Sequence, residues 1–417
     1  MEKCESSLLN SHFFLIYLLK RMGQPVRKVI KELHPLTNIK PFYTLLVDGN
    51  NLLRISMNDT KINHKGVHYG GIFQFFLQIK MLMKDHQYDY VYVVFDDSNS
   101  GILRYQLYNE YKANRDKHYA ENSVDDSDKT EYWKKLEATI KKMEHYNYTK
   151  KRKVRNKTDK EKIVDENFDR EREIILEYCD ELCIRTLFDD KTEGDDFIAY
   201  YVNHKKPEER IVIVSTDQDL TQLISPTVSV YNKTLKMELH PDTFKLIKGM
   251  PVENVLIKKI FCGDTSDNIG NIKGISEERL KELMPEIAKR PITVEEVKER
   301  AKKMIDERIA QKKKPLQWHE NIVNGISNRE YDGDFYEINE KIINLKHPLL
   351  TKTAEEKIES WMYVPMDPEG RSFTNLYKLI VRDEIENLMD SQSFANFFEP
   401  FKGLVDRETR RYKNSLK

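Results

Sequence analysis

Short apolar runs that lead into an aspartate constrain the fold of this chain more than any other feature of its sequence. Runs of this kind, rich in valine, isoleucine and leucine, are typical of strands buried on both faces of a sheet. Segments with apolar residues at helical spacing separate them, which predicts an α/β fold with a parallel sheet covered by helices. The runs are Tyr43–Val47 before Asp48, Tyr90–Phe95 before Asp96, Cys183–Phe188, and Arg210–Ser215 before Asp217.

The aspartates that follow these runs are predicted to meet. In a parallel sheet the carboxyl ends of the strands open onto one crevice, where ligands bind. Asp219 lies two residues beyond Asp217 and would project to the same side of an extended chain. A single aspartate after a strand is more often a turn residue or a helix cap, so no one of them predicts a site.

Two further groups of acids make a site the better interpretation. Glu193, Asp195 and Asp196 stand at the start of a predicted helix, where carboxylates are stabilised in the ionised form. Asp264 and Asp267 are three residues apart, a spacing that predicts one face of a helical turn. It is the ordered series of acidic groups, at strand and helix ends, that predicts a common pocket.

A pocket of nine carboxylates requires cations, because like charges raise each other's pKa. Oxygen ligands without cysteine or histidine at metal-binding spacing favour Mg²⁺, with Mn²⁺ as a substitute. Two such ions suit an in-line displacement at phosphorus, in which one activates water and the other stabilises the leaving oxygen. The four cysteines form no CxxC pair, which predicts reduced thiols. The chain also has no P-loop and no nucleophile motif, so a kinase or a phosphatase is not supported.

Charge in this chain is clustered, although Lys+Arg and Asp+Glu are equal at 69 each. Residues 1–40 are predicted to be an N-terminal extension whose apolar stretch is too short to span a bilayer, so no membrane is implied and a cytoplasmic protein is expected. A basic run between sheet elements is either a solvated segment or a mobile cover over a site. The run includes Lys150, Lys151, Arg152, Lys153 and Arg155.

Six motifs in a fixed order carry a family resemblance. The chain resembles the FEN/PIN-type 5′ nuclease superfamily and, within it, the ribonucleases H of T-even bacteriophages, which would place it in an infected bacterial cell. The resemblance implies a PIN-like, Rossmann-like nuclease core at 41–248, a charged helical arch at about 103–165 and a C-terminal helical region at 249–417. The motifs are Leu46–Asn51, Phe95–Gly101, Tyr111–Arg115, Glu193–Asp196, Ser215–Asp219 and Gly263–Asn268.

The resemblance also implies roles for individual residues. One metal ion would be held by Asp96, Glu193 and Asp195, helped by Asp48 through water, and a second by Asp217, Asp219 and Asp264, with Asp196 and Asp267 nearby. The cations over the scissile phosphate would be Lys112 and Arg115, side by side on a helix, with Arg104 as a third candidate. Tyr108 or Tyr111 could stack on a displaced base, and equally could be core or surface tyrosines. The arch and its basic run would draw in single-stranded phosphate backbone.

One motif departs from the family pattern. The resemblance implies a helix–three-turn–helix at about 253–287 that binds duplex phosphate and K⁺, but the second glycine of its hairpin is missing after Gly274. Duplex binding is therefore expected to be weaker, or to depend on Lys273 and Arg279. The helical stretch 291–315 looks like an addition to the family pattern and receives no role.

The expected activity is that of a 5′-to-3′ exonuclease and flap endonuclease with ribonuclease H activity, acting in DNA replication and primer removal. The expected partners of this monomer are DNA flaps, nicked duplex, RNA–DNA hybrid and a single-stranded-DNA-binding or other replication protein. Two alternatives stay open: a PIN-type ribonuclease that cuts single strands, and a catalytically silent protein that binds branched DNA. Asp264 and Asp267 argue against the first, and the presence of Lys112 beside a full set of acids argues against the second.

Overall fold

A six-stranded sheet lies at the centre of the structure, a computed structural model that describes residues 41–97, 99–113 and 159–417, with only the backbone for residues 85 and 159–166. The strands are β1 (Phe42–Asp48), β2 (Tyr90–Val94), β3 (Arg185–Leu187), β4 (Glu209–Val214), β5 (Val228–Asn232) and β6 (Met237–Leu239). Their order is β3-β2-β1-β4-β5-β6, and each neighbouring pair is parallel except β5 and β6. The predicted α/β fold with a parallel sheet is confirmed.

The strand order reverses between β1 and β4, which makes the carboxyl edge of these two strands the crevice where such sheets bind ligands. In the register of the sheet, Asp48 of β1 lies opposite Val94 of β2, and Val47 lies opposite Val214 of β4. The three strands therefore end at the same level. Acids that follow them are delivered to one edge.

Helices cover both faces of the sheet because successive strand residues point to opposite faces and are apolar on each. The helices are α1 (Gly49–Ser56), α2 (Gly70–Asp85), α3 (Ile102–Leu107), α4 (Asp159–Glu181), α5 (Gly194–Asn203), α6 (Pro241–Lys248), α7 (Asn254–Cys262), α8 (Glu277–Leu283), α9 (Val294–Ala310), α10 (Gln317–Asn324), α11 (Phe335–Ile343), α12 (Lys352–Glu359), α13 (Phe373–Arg382) and α14 (Ser391–Ser415). Leu45 and Val47 face one apolar cluster, formed with α1, α2, α4, α13 and α14, whereas Leu46 faces another, formed with α5, α6 and α12.

A third apolar cluster joins α3 to helices α7 to α11 of the C-terminal region. The segment after β2 therefore packs on helices that follow it by more than a hundred residues. Because α13 and α14 return to the sheet, residues Phe42–Lys417 form one compact unit. None of the described helices is long and apolar enough to cross a membrane.

The structure differs from the sequence-based prediction in two places. Strands β5 and β6 were not predicted, because they are short and include polar residues such as Ser229, Asn232 and Glu238. The Gly263–Asn268 segment is a turn closed by a bridge between Asp264 and Ile269, so the predicted helical turn is wrong. Gly263 permits this turn at a φ of +69°, where an added Cβ would lie 2.6 Å from the carbonyl oxygen of Ile269.

The helical arch expected at about 103–165 is described only at its two ends. Helix α3 and the turns after it lead out of the sheet, and α4 leads back to β3. Residues 114–158 and the extension 1–40 lie outside the described residues.

Candidate functional site

Two aspartates at the carboxyl edge of the sheet are held by backbone and hydroxyl donors. Asp48 ends β1 and caps α1, accepting hydrogen bonds from the Asn51 N–H at 3.0 Å and the Ser215 hydroxyl at 2.8 Å. Asp96 follows β2 and accepts a hydrogen bond from the Gly194 N–H at 2.6 Å. Gly194 is the first residue of α5, so Asp96 lies at the N-terminus of the helix that carries Asp195.

Four acids at this edge lie close enough for their charges to act on one another. Burial, together with the charges of Asp96 and Asp217, raises the pKa of Asp48 to about 7, although the Asn51 N–H opposes the shift. Burial and then the charges of Asp217, Asp48 and Asp96 raise the pKa of Asp195 well above its usual range. Carboxyls crowded in this way ionise readily only beside cations. These acids, Asp48, Asp96, Asp195 and Asp217, are called the first acid group below.

A second acid group consists of Asp219, Asp264 and Asp267, whose carboxylate oxygens lie within 4.8 Å of one another. It adjoins the first group, because the Asp219 N–H donates to Oδ1 of Asp217 at 2.8 Å. Lys259 of α7 forms ion pairs with both Asp219 and Asp264, at 2.7 Å for Oδ2 of Asp264. Burial alone would raise the pKa of Asp264, but Lys259 outweighs it and lowers the pKa to about 2.

Glu193 differs from its acidic neighbours because cations already surround it. The residue is 4% exposed, and its side chain accepts hydrogen bonds from Arg104 at 2.7 Å, from the Tyr111 hydroxyl at 3.0 Å, and from the Lys112 ammonium. Burial would raise the pKa of Glu193, but the charges of Lys112 and Arg104 lower it to about 2. Glu193 is therefore a carboxylate at neutral pH.

Arg104 and Asp196 lie behind the acids rather than in the crevice. Arg104 is 5% exposed. Its guanidinium pairs with Glu193 and Asp196 and donates from Nε to the Ile342 carbonyl at 2.8 Å. Asp196 is 1% exposed and also accepts the Leu349 N–H at 3.0 Å. Both side chains belong to a buried ion pair that joins α3 to α5, which favours a supporting position for Arg104 over one at the phosphate and agrees with Asp196 as an acid near the site.

Lys112 connects Glu193 to the turn that carries Asp267 of the second acid group. Its ammonium pairs with Glu193, and its N–H donates to the Asp267 carbonyl at 2.8 Å. The backbone is left-handed at Lys112, with a φ of 51°, and α3 has already ended at Leu107. Lys112 is therefore not in a helix, contrary to the prediction that a helix aligns it with Arg115. Arg115 itself lies outside the described residues.

The remaining candidates for nucleic-acid contact fall into three classes. Tyr108 and Tyr111 are 3% exposed and belong to the core, where Tyr108 stacks on Tyr331 at 4.6 Å between ring centres, so the core alternative holds and the base-stacking expectation is corrected. Lys273 is exposed in the hairpin between α7 and α8, and Arg279 is exposed in the first turn of α8. The run Lys150, Lys151, Arg152, Lys153 and Arg155 lies outside the described residues.

Three residues that organise the site were not predicted from the sequence. Asn51 and Ser215 hold Asp48, and Asn51 also accepts the Thr216 N–H at 3.0 Å, which ties the loop after β4 to α1. Both stand inside acidic motifs, and that position was the available signal. Lys259 is one of several lysines on a C-terminal helix, and no local pattern distinguishes it.

Comparison with known proteins matches the part of the chain that holds the first acid group. The 5′-3′ exonuclease, N-terminal resolvase-like domain matches residues 43–248. The chain is 26% identical over 241 residues to a 5′-3′ exonuclease of Mycoplasmopsis pulmonis, covering 58% of this chain and 65% of that protein. It is 25% identical over 244 residues to the flap endonuclease of Escherichia phage T5, covering 56% and 67% respectively. The alignment thus spans just under two thirds of the Mycoplasmopsis exonuclease.

A solved structure is also similar to this chain. The T5 D15 protein co-crystallized with metal ions superposes with a TM-score of 0.49 at 18% identity, covering 87% of this chain and 99% of that one. The domain match, the relatives and the acids at the carboxyl edge of the sheet agree. Residues 43–248 of this chain are a 5′-3′ exonuclease, N-terminal resolvase-like domain.

Proposed function

We propose that this protein is a divalent-metal-dependent hydrolase that cuts phosphodiester bonds at the 5′ ends of strands on a duplex, as a 5′-to-3′ exonuclease and flap endonuclease. The observation that carries the proposal is the juxtaposition of the two acid groups, linked by the hydrogen bond from Asp219 to Asp217. Its family relatives are named a 5′-3′ exonuclease and a flap endonuclease. Ribonuclease H activity on RNA primers, within DNA replication, is part of the proposal.

The donor set fits two hard cations, Mg²⁺ or Mn²⁺ in its place. Every member of the two acid groups offers carboxylate oxygens, and the raised pKa values of Asp48 and Asp195 are shifts that a neighbouring cation reverses. Bound ions of this kind activate water and stabilise a leaving oxygen. The residues that would hold them are Asp48, Asp96, Glu193 and Asp195 for one ion, and Asp217, Asp219 and Asp264, with Asp267 beside them, for the other.

Side chains around the acids prepare them for this task. The buried pair of Arg104 with Glu193 and Asp196 keeps Glu193 ionised and fixes its orientation. Lys112 holds its ammonium against Glu193 at the boundary of the acid groups, where it can stabilise negative charge that develops on a phosphate. Lys259 pairs with Asp219 and Asp264, and a divalent cation held by these acids would compete with this ion pair.

K⁺ at the α7–α8 hairpin does not fit the residues present. The Gly274 carbonyl already accepts a hydrogen bond from the Arg279 guanidinium. A carbonyl that faces a permanent cation has little to offer a second one. We therefore leave K⁺ out of the proposal and assign duplex phosphate contacts to Lys273 and Arg279.

Digestion of 5′-labelled substrates tests the function. On flap, nicked-duplex and RNA-primed hybrid substrates we expect short products from the 5′ end with Mg²⁺, none after chelation, and recovery when Mg²⁺ is restored. A preference for free single-stranded RNA would support the PIN-type ribonuclease instead. Binding of branched DNA without cutting at any metal concentration would support the silent binding protein.

Replacing Lys112 with alanine is expected to slow cutting of bound substrate by about a hundredfold or more, since it removes a cation placed to stabilise the transition state. Affinity should change by less than about 1 kcal/mol, the scale of one partly exposed ion pair. Single-turnover rates and fluorescence anisotropy in EDTA measure the two quantities separately. Lys273→Ala is the control, expected to weaken binding and leave the single-turnover rate unchanged; equal reductions of rate and affinity in Lys112→Ala would make it an ordinary phosphate-binding residue.

A further inference from the structure

The loop between α9 and α10 carries three consecutive exposed lysines, Lys312–Lys314. Backbone hydrogen bonds hold this loop in place. The Lys312 N–H donates to the Ile309 carbonyl and the Lys313 N–H to the Arg308 carbonyl, both at 2.8 Å, while Nε of Arg308 donates to the Lys314 carbonyl at 2.9 Å. A loop fixed in this way loses little backbone entropy when its lysines bind a ligand.

Helix α10 is joined along its length to the α7–α8 hairpin. The Lys273 N–H donates to the Ile326 carbonyl at 2.9 Å, and the Asn321 side chain donates to the Lys273 carbonyl at 2.7 Å. Near the start of α10, Trp318 lies against the hairpin, so that a Cβ added to Gly274 would be 3.4 Å from the Trp318 Cβ. The hairpin and α10 therefore present one surface.

The lysine loop lies within reach of this surface. Trp318 is four positions after Lys314 in the sequence, a separation that the chain spans in at most about 14 Å. Successive phosphates of one DNA strand advance about 3.4 Å along the helix axis, so the loop and the hairpin fit within about four nucleotide steps of one another. The Arg279 guanidinium also lies near this surface, 5.9 Å from the Trp318 ring centre.

The charge of this surface is positive. The carboxylate of Glu277 is engaged by Lys258 at 2.6 Å and Lys281 at 2.8 Å, and Glu278 is an exposed acid beside the hairpin. Five cations outnumber these acids, and they form what we call the basic strip. Its members are Lys273, Arg279, Lys312, Lys313 and Lys314.

We propose that the basic strip binds the sugar-phosphate backbone of the duplex arm of a nucleic-acid substrate, and that Lys312–Lys314 extend this interaction beyond the hairpin. The proposal rests on the proposed function and gives a role to the helix pair α9 and α10. A duplex fits better than a single strand, because the cations are mounted on two fixed elements and Trp318 packs against the hairpin instead of being presented to a base. An acidic protein surface is the competing occupant.

The test compares duplex and single-strand binding by a triple variant, K312Q/K313Q/K314Q, of the full chain. Fluorescence anisotropy in EDTA, without cutting, uses a 5′-flap duplex and a single-stranded oligonucleotide of the flap's sequence. We expect at least tenfold weaker duplex binding and unchanged single-strand binding. The slope of log affinity against log salt should become shallower by about 0.9 for each phosphate that the variant no longer neutralises.

A charge-matched control is K402Q/R410Q/K413Q, three exposed residues of α14, the helix whose Arg411 donates to the Asp89 carbonyl at the other end of β2. The control should bind both probes as the unaltered protein does. The proposal would be overturned if the control variant bound the duplex as weakly as the triple variant, or if the triple variant lost the same affinity for both probes. It would also be overturned if the triple variant kept its duplex affinity and salt slope, a result that would favour an acidic protein partner. Failure of the unaltered protein to cut any substrate would instead count against the proposed function, because binding is measured apart from cutting.

Discussion

Replacing Asp217 with asparagine is expected to reduce the rate of cutting at least about a hundredfold while leaving substrate binding nearly unchanged. Asp217 belongs to both halves of the site, since its charge raises the pKa of Asp48 and Asp195 and its Oδ1 accepts the Asp219 N–H at 2.8 Å. Asparagine keeps the size and the accepting oxygen but removes the charge that would attract a divalent cation. Single-turnover rates across a Mg²⁺ titration measure the reduction, and anisotropy in EDTA measures binding.

Asp190→Asn is the matched control. Asp190 is also an acid that follows a strand, β3, but it is exposed and assigned to a loop, and its replacement should leave the rate within about twofold, as expected of a surface change. The Asp217→Asn variant should also lower the pKa of Asp48 in the metal-free protein, which an NMR titration can follow. Near-normal cutting together with an unmoved Asp48 would show that Asp217 is outside the site.

Replacing Arg104 with methionine should reduce the free energy of unfolding by about 3–5 kcal/mol, the usual consequence of removing one partner of a buried ion pair. Glu193 and Asp196 would keep their buried carboxylates, and Arg104 is the cation that both of them contact. Denaturant unfolding at neutral pH measures the change. Because the structure places Arg104 behind the acids, cutting should fall through misplacement of Glu193 and not through removal of a cation from the phosphate.

The pH dependence of unfolding provides an independent check on Arg104. In the unaltered protein the pKa of Glu193 is lowered from 4.5 to about 2, so its contribution to stability is present above the ordinary pKa and is lost as pH falls toward 2. The variant should lose less stability over this acidic range, because one of the cations that lower the pKa is gone.

Arg382→Met is the matched control for Arg104. Arg382 also contacts two acids, Glu177 at 2.7 Å and Asp383 at 2.8 Å, but at an exposed position, where ion pairs contribute about 1 kcal/mol or less. A comparable destabilisation by both substitutions would mean that the Arg104 cluster contributes no more than an ordinary surface pair.

Much of the candidate site could be predicted from local sequence. A strand is a local pattern, and the rule that parallel strands share a carboxyl edge needs no coordinates. The sequence therefore predicts Asp48, Asp96 and Asp217 at one edge, and in the structure the charges of Asp96 and Asp217 act on Asp48. The acidic start of α5 was likewise readable as a helix N-terminus. The turn at Asp264 was harder, because its closure depends on Ile269 and on the left-handed Gly263 more than on the spacing of its acids.

By itself, then, the sequence determined which residues are acidic and at which strand or helix ends they stand. Only the tertiary structure decided which acids face the crevice and which are neutralised behind it. Asp195 and Asp196 are neighbours in sequence, but successive residues of a helix point about 100° apart. One therefore joins Asp48 at the carboxyl edge, and the other meets Arg104, which packing of α3 against the C-terminal helices brings from elsewhere in the chain.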